Sequence, residues 1–71
     1  MSHLTVEQLD RELREIGDLH NRLMRHRAAF GPELEERYGD LLDGAIDNLE
    51  TLLVALIDDR AATAEAVREE T

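Results

Sequence analysis

The chain contains no cysteine and no tryptophan, and its 71 residues include one proline, one tyrosine and one phenylalanine. Without cysteine, neither disulfide bonds nor thiolate metal sites can form. No apolar run approaches the roughly 18 residues that a transmembrane helix requires, and residues 1–6 lack the basic and apolar regions of a signal peptide. We therefore expect a cytoplasmic protein that does not enter a membrane.

Lysine is absent as well, and negative charge is in excess. The net charge is -9, from 17 acidic residues against eight arginines. Residues 1–31 carry five acidic residues and five arginines, so residues 32–71 hold the whole imbalance. Such a surface repels phosphate groups, which argues against direct binding to nucleic acid or to an anionic membrane.

An apolar stripe with heptad spacing fills the first part of the chain and stops at Gly31. Thr5 followed by Gln8 forms a capping-box pattern immediately before it. The pattern predicts a helix over about 6–30, ended by Gly31 in the left-handed conformation. Pro32 then suits the first position of a second helix. The stripe consists of Val6, Leu9, Leu13, Ile16, Leu23 and Phe30.

A second and denser apolar stripe predicts a helix over about 32–60. Gly39-Asp40 leaves two alternatives open, a break with a new cap or one continuous helix with at most a mild kink. The continuous helix is favoured because the apolar spacing stays in phase across the glycine. Residues 61–71 are predicted to form a weakly anchored tail that is helical or frayed. The fold class is therefore all-α: a single domain, 1–71, built as an antiparallel helical hairpin.

The second stripe is too wide for one partner helix. Folding the chain about Gly31 places Ile16 opposite Ile46 and Leu13 opposite Leu49. One flank of helix 2, predicted to face helix 1, consists of Leu42, Ile46, Leu49, Leu53 and Ile57. The other flank is left uncovered and consists of Leu34, Tyr38, Leu41, Ala45 and Leu52. An exposed apolar strip of that length is typical of an interface, so we expect a homodimer in which two hairpins form a four-helix bundle, with coiled-coil packing.

His20 lies in the centre of the first apolar stripe. A polar residue there can fix register or make the packing sensitive to pH, and a neutral core histidine with one hydrogen bond is the alternative. A metal site is not expected, because no Glu-x-x-His pair occurs and His3, His20 and His26 do not share a helix face.

Arg22, Arg25 and Arg27, together with His26, form the one concentration of positive charge. The cluster is a candidate contact for an anionic ligand. The alternative is structural, since cations complement a helix C-terminus and Glu35, Glu36 and Asp40 are predicted to lie across the turn. A row of carboxylates, Asp43, Asp47 and Glu50, is predicted to form a solvated face.

The segment from Leu9 to Arg27 resembles the first helix of the all-helical chorismate mutases. Arg11, Arg27 and Arg37 are spaced roughly like that family's first three cationic ligands. The resemblance implies a small dimeric enzyme that holds a dicarboxylate with cationic side chains on long helices. The chain departs from that pattern at Gly31-Pro32, which interrupts what should be one continuous helix.

No Ser-His-Asp set and no glycine-rich phosphate loop occur in the chain. We therefore expect a protein without catalytic residues or cofactors. The favoured hypothesis is a self-associating acidic helical protein that binds another macromolecule, such as a protein with a basic surface. The alternative is an acidic, antitoxin-like inhibitor whose carboxylates mimic nucleic acid.

Overall fold

The computed structural model describes residues 4–70 as two helices, α1 (Val6–Ala28) and α2 (Pro32–Glu70), which pack against each other. Asp10 near the start of α1 meets Arg60, and Arg27 near its end meets Asp43, so the helices are antiparallel. The predicted all-helical hairpin is therefore confirmed. The hairpin measures 56 × 18 × 15 Å, and its long dimension is that of α2.

The start of α1 follows the predicted capping box. The backbone N–H of Gln8 donates to Thr5 Oγ1 over 3.1 Å, and the backbone N–H of Thr5 donates to Gln8 Oε1 over 2.9 Å. Two backbone N–H groups at the N-terminus of the helix thereby have hydrogen-bond partners other than water. A signal of four residues was sufficient to locate this helix start, because all of its partners are local.

The turn between the helices differs from the prediction. α1 ends at Ala28, and the capping residue Ala29 keeps a right-handed conformation, with φ -87° and ψ -1°. No residue of the described range 4–70 has a positive φ, so the left-handed ending predicted for Gly31 is wrong. Instead, the backbone N–H of Phe30 donates to the carbonyl of Arg27, which tightens the last turn. Pro32 occupies the first position of α2, as predicted.

Gly39-Asp40 does not interrupt α2. The favoured continuous helix is confirmed, and the alternative of a break with a new cap is not observed. α2 also runs ten residues beyond the predicted end near Arg60 and includes the segment predicted to be helical or frayed.

The less exposed residues of both helices follow heptad spacing and form the contact between them, called here the seam. On α1 and the turn that follows it, the seam consists of Val6, Leu9, Leu13, Ile16, His20, Leu23, Arg27 and Phe30. On α2 it consists of Gly39, Leu42, Ile46, Leu49, Leu53, Leu56 and Arg60. Ile57, which was predicted to face helix 1, is exposed, and Leu56 takes its place. Among the described residues, Leu9 is the one large apolar side chain that is buried, at 2% exposure.

The register of the hairpin also differs from the prediction. Folding about Gly31 would place His20 level with Leu42, whereas the structure pairs it with Glu50, eight positions further along. Eight residues span about 12 Å of helix, which a histidine side chain cannot reach across. Part of the offset arises because side chains of antiparallel helices lean towards their own N-termini. Leu13 lies between Asp10, which pairs with Arg60, and His20, which pairs with Glu50, so its layer is that of Leu56 and not that of Leu49, a shift of one heptad.

Candidate interaction surface

The two sides of the seam differ in chemistry. Asp43 and Glu50 each follow a seam residue of α2 by one position, whereas Ala45 and Leu52 each precede one. One position is a rotation of about 100°, so the two sets lie on opposite sides of the seam. On α1, Asp10 follows Leu9 and Leu19 precedes His20 in the same way. When two helices pack antiparallel, the residues that follow seam positions on one helix lie on the same side of the pair as those that follow seam positions on the other.

All three long-range ion pairs observed in residues 4–70 lie on one side, called here the ion-pair side. They join Asp10 to Arg60, His20 to Glu50 and Arg27 to Asp43. The hydrogen bond that Asp10 accepts raises the pKa of the Arg60 guanidinium. Because the pKa of the Arg60 guanidinium is raised on folding, its protonation stabilises the hairpin below the ordinary pKa of arginine, and this contribution is lost as the pH rises through the raised pKa in strongly alkaline solution.

Arg27 binds two carboxylates of α2. Its Nε donates to Asp43 Oδ1 over 2.9 Å, and its Nη2 lies 3.5 Å from Glu35 Oε1. The hydrogen bond to Asp43 is the largest cause that raises the pKa of the Arg27 guanidinium. The same guanidinium passes over Gly39, where a Cβ atom would lie 3.1 Å from Nη2. Gly39 therefore provides the space through which Arg27 reaches both carboxylates.

The Phe30 ring in the turn also packs against this arginine. The Cζ atom of Arg27 lies 5.6 Å from the centroid of the Phe30 ring, within the range of a cation–π contact. The rings of His26 and Phe30 meet edge to face at 5.7 Å. The end of α1 is thus fixed to α2 by Arg27 and to the turn by Phe30.

His20 Nε2 lies 3.1 Å from Glu50 Oε1, and the imidazole side chain is 14% exposed. His20 thus lies within the seam and makes one hydrogen bond, and both of its predicted roles, a register- or pH-sensitive position and a neutral core histidine, stay predictions. Its partner is the Glu50 carboxylate of α2, so the imidazole is not isolated within the seam. The row of Asp43, Asp47 and Glu50 is accordingly not a purely solvated face, because two of its members bind α1.

The three arginines of the predicted anion contact have different surroundings in the structure. Arg27 is occupied by Asp43 and Glu35, whereas Arg22 and Arg25 are exposed on the outer surface of α1. Of the three acidic partners predicted across the turn, Glu35 is observed and Glu36 and Asp40 are not.

Two of the three arginines in the chorismate mutase resemblance bind carboxylates of the same chain. Arg27 pairs with Asp43, and Arg37 pairs with Glu33 one turn away in α2. Over residues 4–70 no group of three or more histidine, aspartate or glutamate side chains is arranged to hold a metal ion, and His3 lies outside this range.

The opposite side of the seam, called here the apolar side, carries the predicted interface residues. Leu34, Tyr38, Leu41, Ala45 and Leu52 are all exposed, and Leu41 is the most exposed of them at 73%. Leu19 of α1 is exposed on the same side and was missed by the sequence reasoning. Its position immediately before a seam residue was the signal that could have identified it. Exposed apolar side chains also occur on the ion-pair side, where Met24, Val54 and Ile57 lie among the paired charges.

Comparison with known proteins yields no relative: no protein-family model, no curated protein and no solved structure matches the chain. The interpretation of the apolar side therefore rests on its physical chemistry. Neither helix, over the part of the chain that the structure describes, is long and apolar enough to cross a membrane.

Proposed function

We propose that the chain is a self-associating helical module that acts without catalysis: two hairpins pair through the apolar side into a four-helix bundle, which binds another macromolecule. The observation that carries the proposal is the exposure of five large apolar side chains on the apolar side of a hairpin whose one buried large apolar side chain among residues 4–70 is Leu9; the five are Leu19, Leu34, Tyr38, Leu41 and Leu52. Contiguous apolar surface on one side of a small protein is typical of an interaction site.

The shape of the hairpin supports a second copy as the occupant of this side. A lone two-helix hairpin has a single contact layer, and small chains usually gain a sufficient core by oligomerisation. The apolar residues of α2 lie about 90° around the helix from the seam, which is the angle between neighbouring contacts in a square four-helix bundle. Each helix would then contact two neighbours, as bundle helices do.

The charge distribution favours a partner protein with a basic surface. Residues 32–71 carry twelve acidic residues against three arginines. Dimerisation through the apolar side would leave the outward carboxylates accessible and would double their number, so a basic protein surface would be attracted and phosphate repelled.

The nucleic-acid-mimicking inhibitor stays a prediction. It uses the same carboxylates but requires a different partner, a basic cleft that normally binds nucleic acid. Such a complex would weaken steeply with added salt, whereas assembly through apolar side chains would tolerate salt.

The proposal is tested by introducing one charge on each side of α2. Leu52→Glu on the apolar side should convert the assembly to monomers at micromolar concentration, because two glutamates would be brought together and desolvated in the interface. Val54→Glu is the matched control, since Val54 is also an exposed apolar residue of the same helix, at 59%, but lies on the ion-pair side.

Mass from light scattering and helicity from circular dichroism should be measured for both variants. The expected result is a monomeric, helical Leu52→Glu protein beside a Val54→Glu protein with the mass of the unmodified assembly. If Leu52→Glu keeps that mass, or if both variants dissociate alike, the apolar side is not the interface and the proposal is wrong.

A further inference from the structure

The exposed residues of α2 on the apolar side have the spacing of a second coiled-coil seam. Alternate steps of four and three residues connect Leu34, Tyr38, Leu41, Ala45, Asn48 and Leu52. The same alternation marks the seam that α1 covers. All six residues are exposed in the hairpin, and they are called here the second seam. Heptad spacing is the pattern by which one helix packs lengthwise on another helix.

The second seam contains no charged residue, although charged residues make up 35% of the chain. A partner that covers it would bury no carboxylate and would gain nothing from a basic surface of its own. The fitting partner is another neutral, apolar seam of the same length. The chain itself supplies one, in a second copy.

The sizes of the six side chains match when two copies of the second seam run antiparallel. Leu34 then lies against Leu52 of the second copy, Tyr38 against its Asn48, and Leu41 against its Ala45. Each of the last two layers combines a larger side chain with a smaller one, which keeps the packing even along the helices. A parallel pairing would stack Tyr38 on itself and Ala45 on itself, so the same interface would contain one very thick and one very thin layer.

The polar members of the second seam also match in this pairing. The hydrogen bonds within residues 4–70 involve neither the Tyr38 hydroxyl nor the Asn48 side-chain amide. A buried tyrosine hydroxyl needs a partner, and a single asparagine in an apolar seam is a known means of fixing register. Antiparallel pairing places each of these groups opposite the other, twice in a symmetric dimer.

We infer that two copies of the chain pair antiparallel through the second seam, with the two-fold axis passing between the Leu41 and Ala45 layers and the Tyr38–Asn48 contacts setting the register. The inference rests on the proposed self-association and adds its orientation and partner residues. Antiparallel helices also place their dipoles in the favourable, opposed direction.

Cysteine cross-linking tests the orientation, because the natural chain has no cysteine to interfere. Leu34→Cys and Leu52→Cys should be prepared separately, mixed in equal amounts and oxidised. In the antiparallel dimer, residue 34 of one copy adjoins residue 52 of the other, whereas two copies of the same position lie about 27 Å apart, far beyond the reach of a disulfide. The expected product is the mixed Leu34→Cys/Leu52→Cys disulfide, with little linkage of either variant to itself.

The controls separate this inference from the proposed function. Both leucines are exposed, so the variants should keep the helicity of the unmodified chain by circular dichroism. A mixture of Leu19→Cys and Leu52→Cys reports the competing arrangement, in which α1 of one copy packs on α2 of the other. Three results with dimeric protein would overturn the antiparallel pairing and leave self-association intact. They are linkage of each variant to itself, linkage of residue 19 to residue 52, and no linkage at all. Monomers before oxidation would overturn both.

Discussion

At the scale of single residues, Gly39 and Arg27 determine how closely the two helices approach near the turn. Gly39 is buried, and the Arg27 guanidinium occupies the space beside it on the way to Asp43 and Glu35. A glycine in the interior of a helix normally lowers its stability relative to alanine. Gly39 is suited to this position because it leaves room for the Arg27 side chain, which a Cβ atom would crowd.

Gly39→Ala and Gly17→Ala should therefore differ in their effect on stability. At Gly17 no atom lies within 4 Å of an added Cβ, so the substitution should stabilise α1 by about 1 kcal/mol through helix propensity alone. At Gly39 the new Cβ would lie 3.1 Å from Arg27 Nη2 and 3.3 Å from Glu35 Cγ, so these side chains must shift and the gain should be smaller. Urea unfolding at one protein concentration measures both, and equal gains would contradict this account of Gly39.

Residue-level contacts could be predicted from sequence only where they are local. The Thr5–Gln8 capping box was predicted because its atoms lie within one turn of chain. Of the two carboxylates that bind Arg27, Glu35 was predicted and Asp43 was not, and no partner was predicted for His20, because each of these contacts depends on which turn of α2 faces α1. The role of Glu50 was missed for the same reason.

At the scale of the helices, the ion pairs identify the register, that is, which turns of α2 lie against which turns of α1. Both stripes repeat every seven residues, so sliding α2 by one heptad keeps leucine against leucine and changes the apolar contacts little. The pair of Asp10 with Arg60 exists only in the observed register, because the predicted register places Leu52 near Asp10. Sequence periodicity predicted the hairpin and its direction, whereas the alignment is seen only in the ion pairs between the helices, which join residues up to 50 positions apart.

The register is tested by two double-cysteine variants of the same chain. Leu13→Cys/Leu56→Cys should cross-link rapidly with a short bifunctional thiol reagent, because the two positions share a layer of the seam. Leu13→Cys/Leu49→Cys should react much more slowly, because these two positions lie opposite each other in the predicted register and about one heptad apart in the observed one. Mass spectrometry of the monomeric product distinguishes linked from unlinked chains, and faster reaction of the 13/49 pair would show that the predicted register was correct.

At the scale of the whole molecule, the hairpin exposes apolar side chains of the kind that a protein core normally buries. One side of its seam is linked by ion pairs, the other is apolar, and one large apolar side chain is buried among the residues described. The sequence indicated the uncovered flank because the apolar arc of helix 2 is wider than one neighbour can cover. Leu19 was missed because a single leucine beside a stripe has no periodicity of its own, and its position immediately before His20 was the one available signal. No comparable pattern in the sequence indicates which macromolecule the chain binds.

Sedimentation equilibrium of the unmodified chain tests the central claim, self-association through the apolar side, most directly. The account predicts a dimer at micromolar concentrations that dissociates on dilution, with a melting temperature that rises with protein concentration because folding and association are linked. A monomer whose mass and cooperative melting are independent of concentration would show that the hairpin is stable with its apolar side exposed, and would contradict the account.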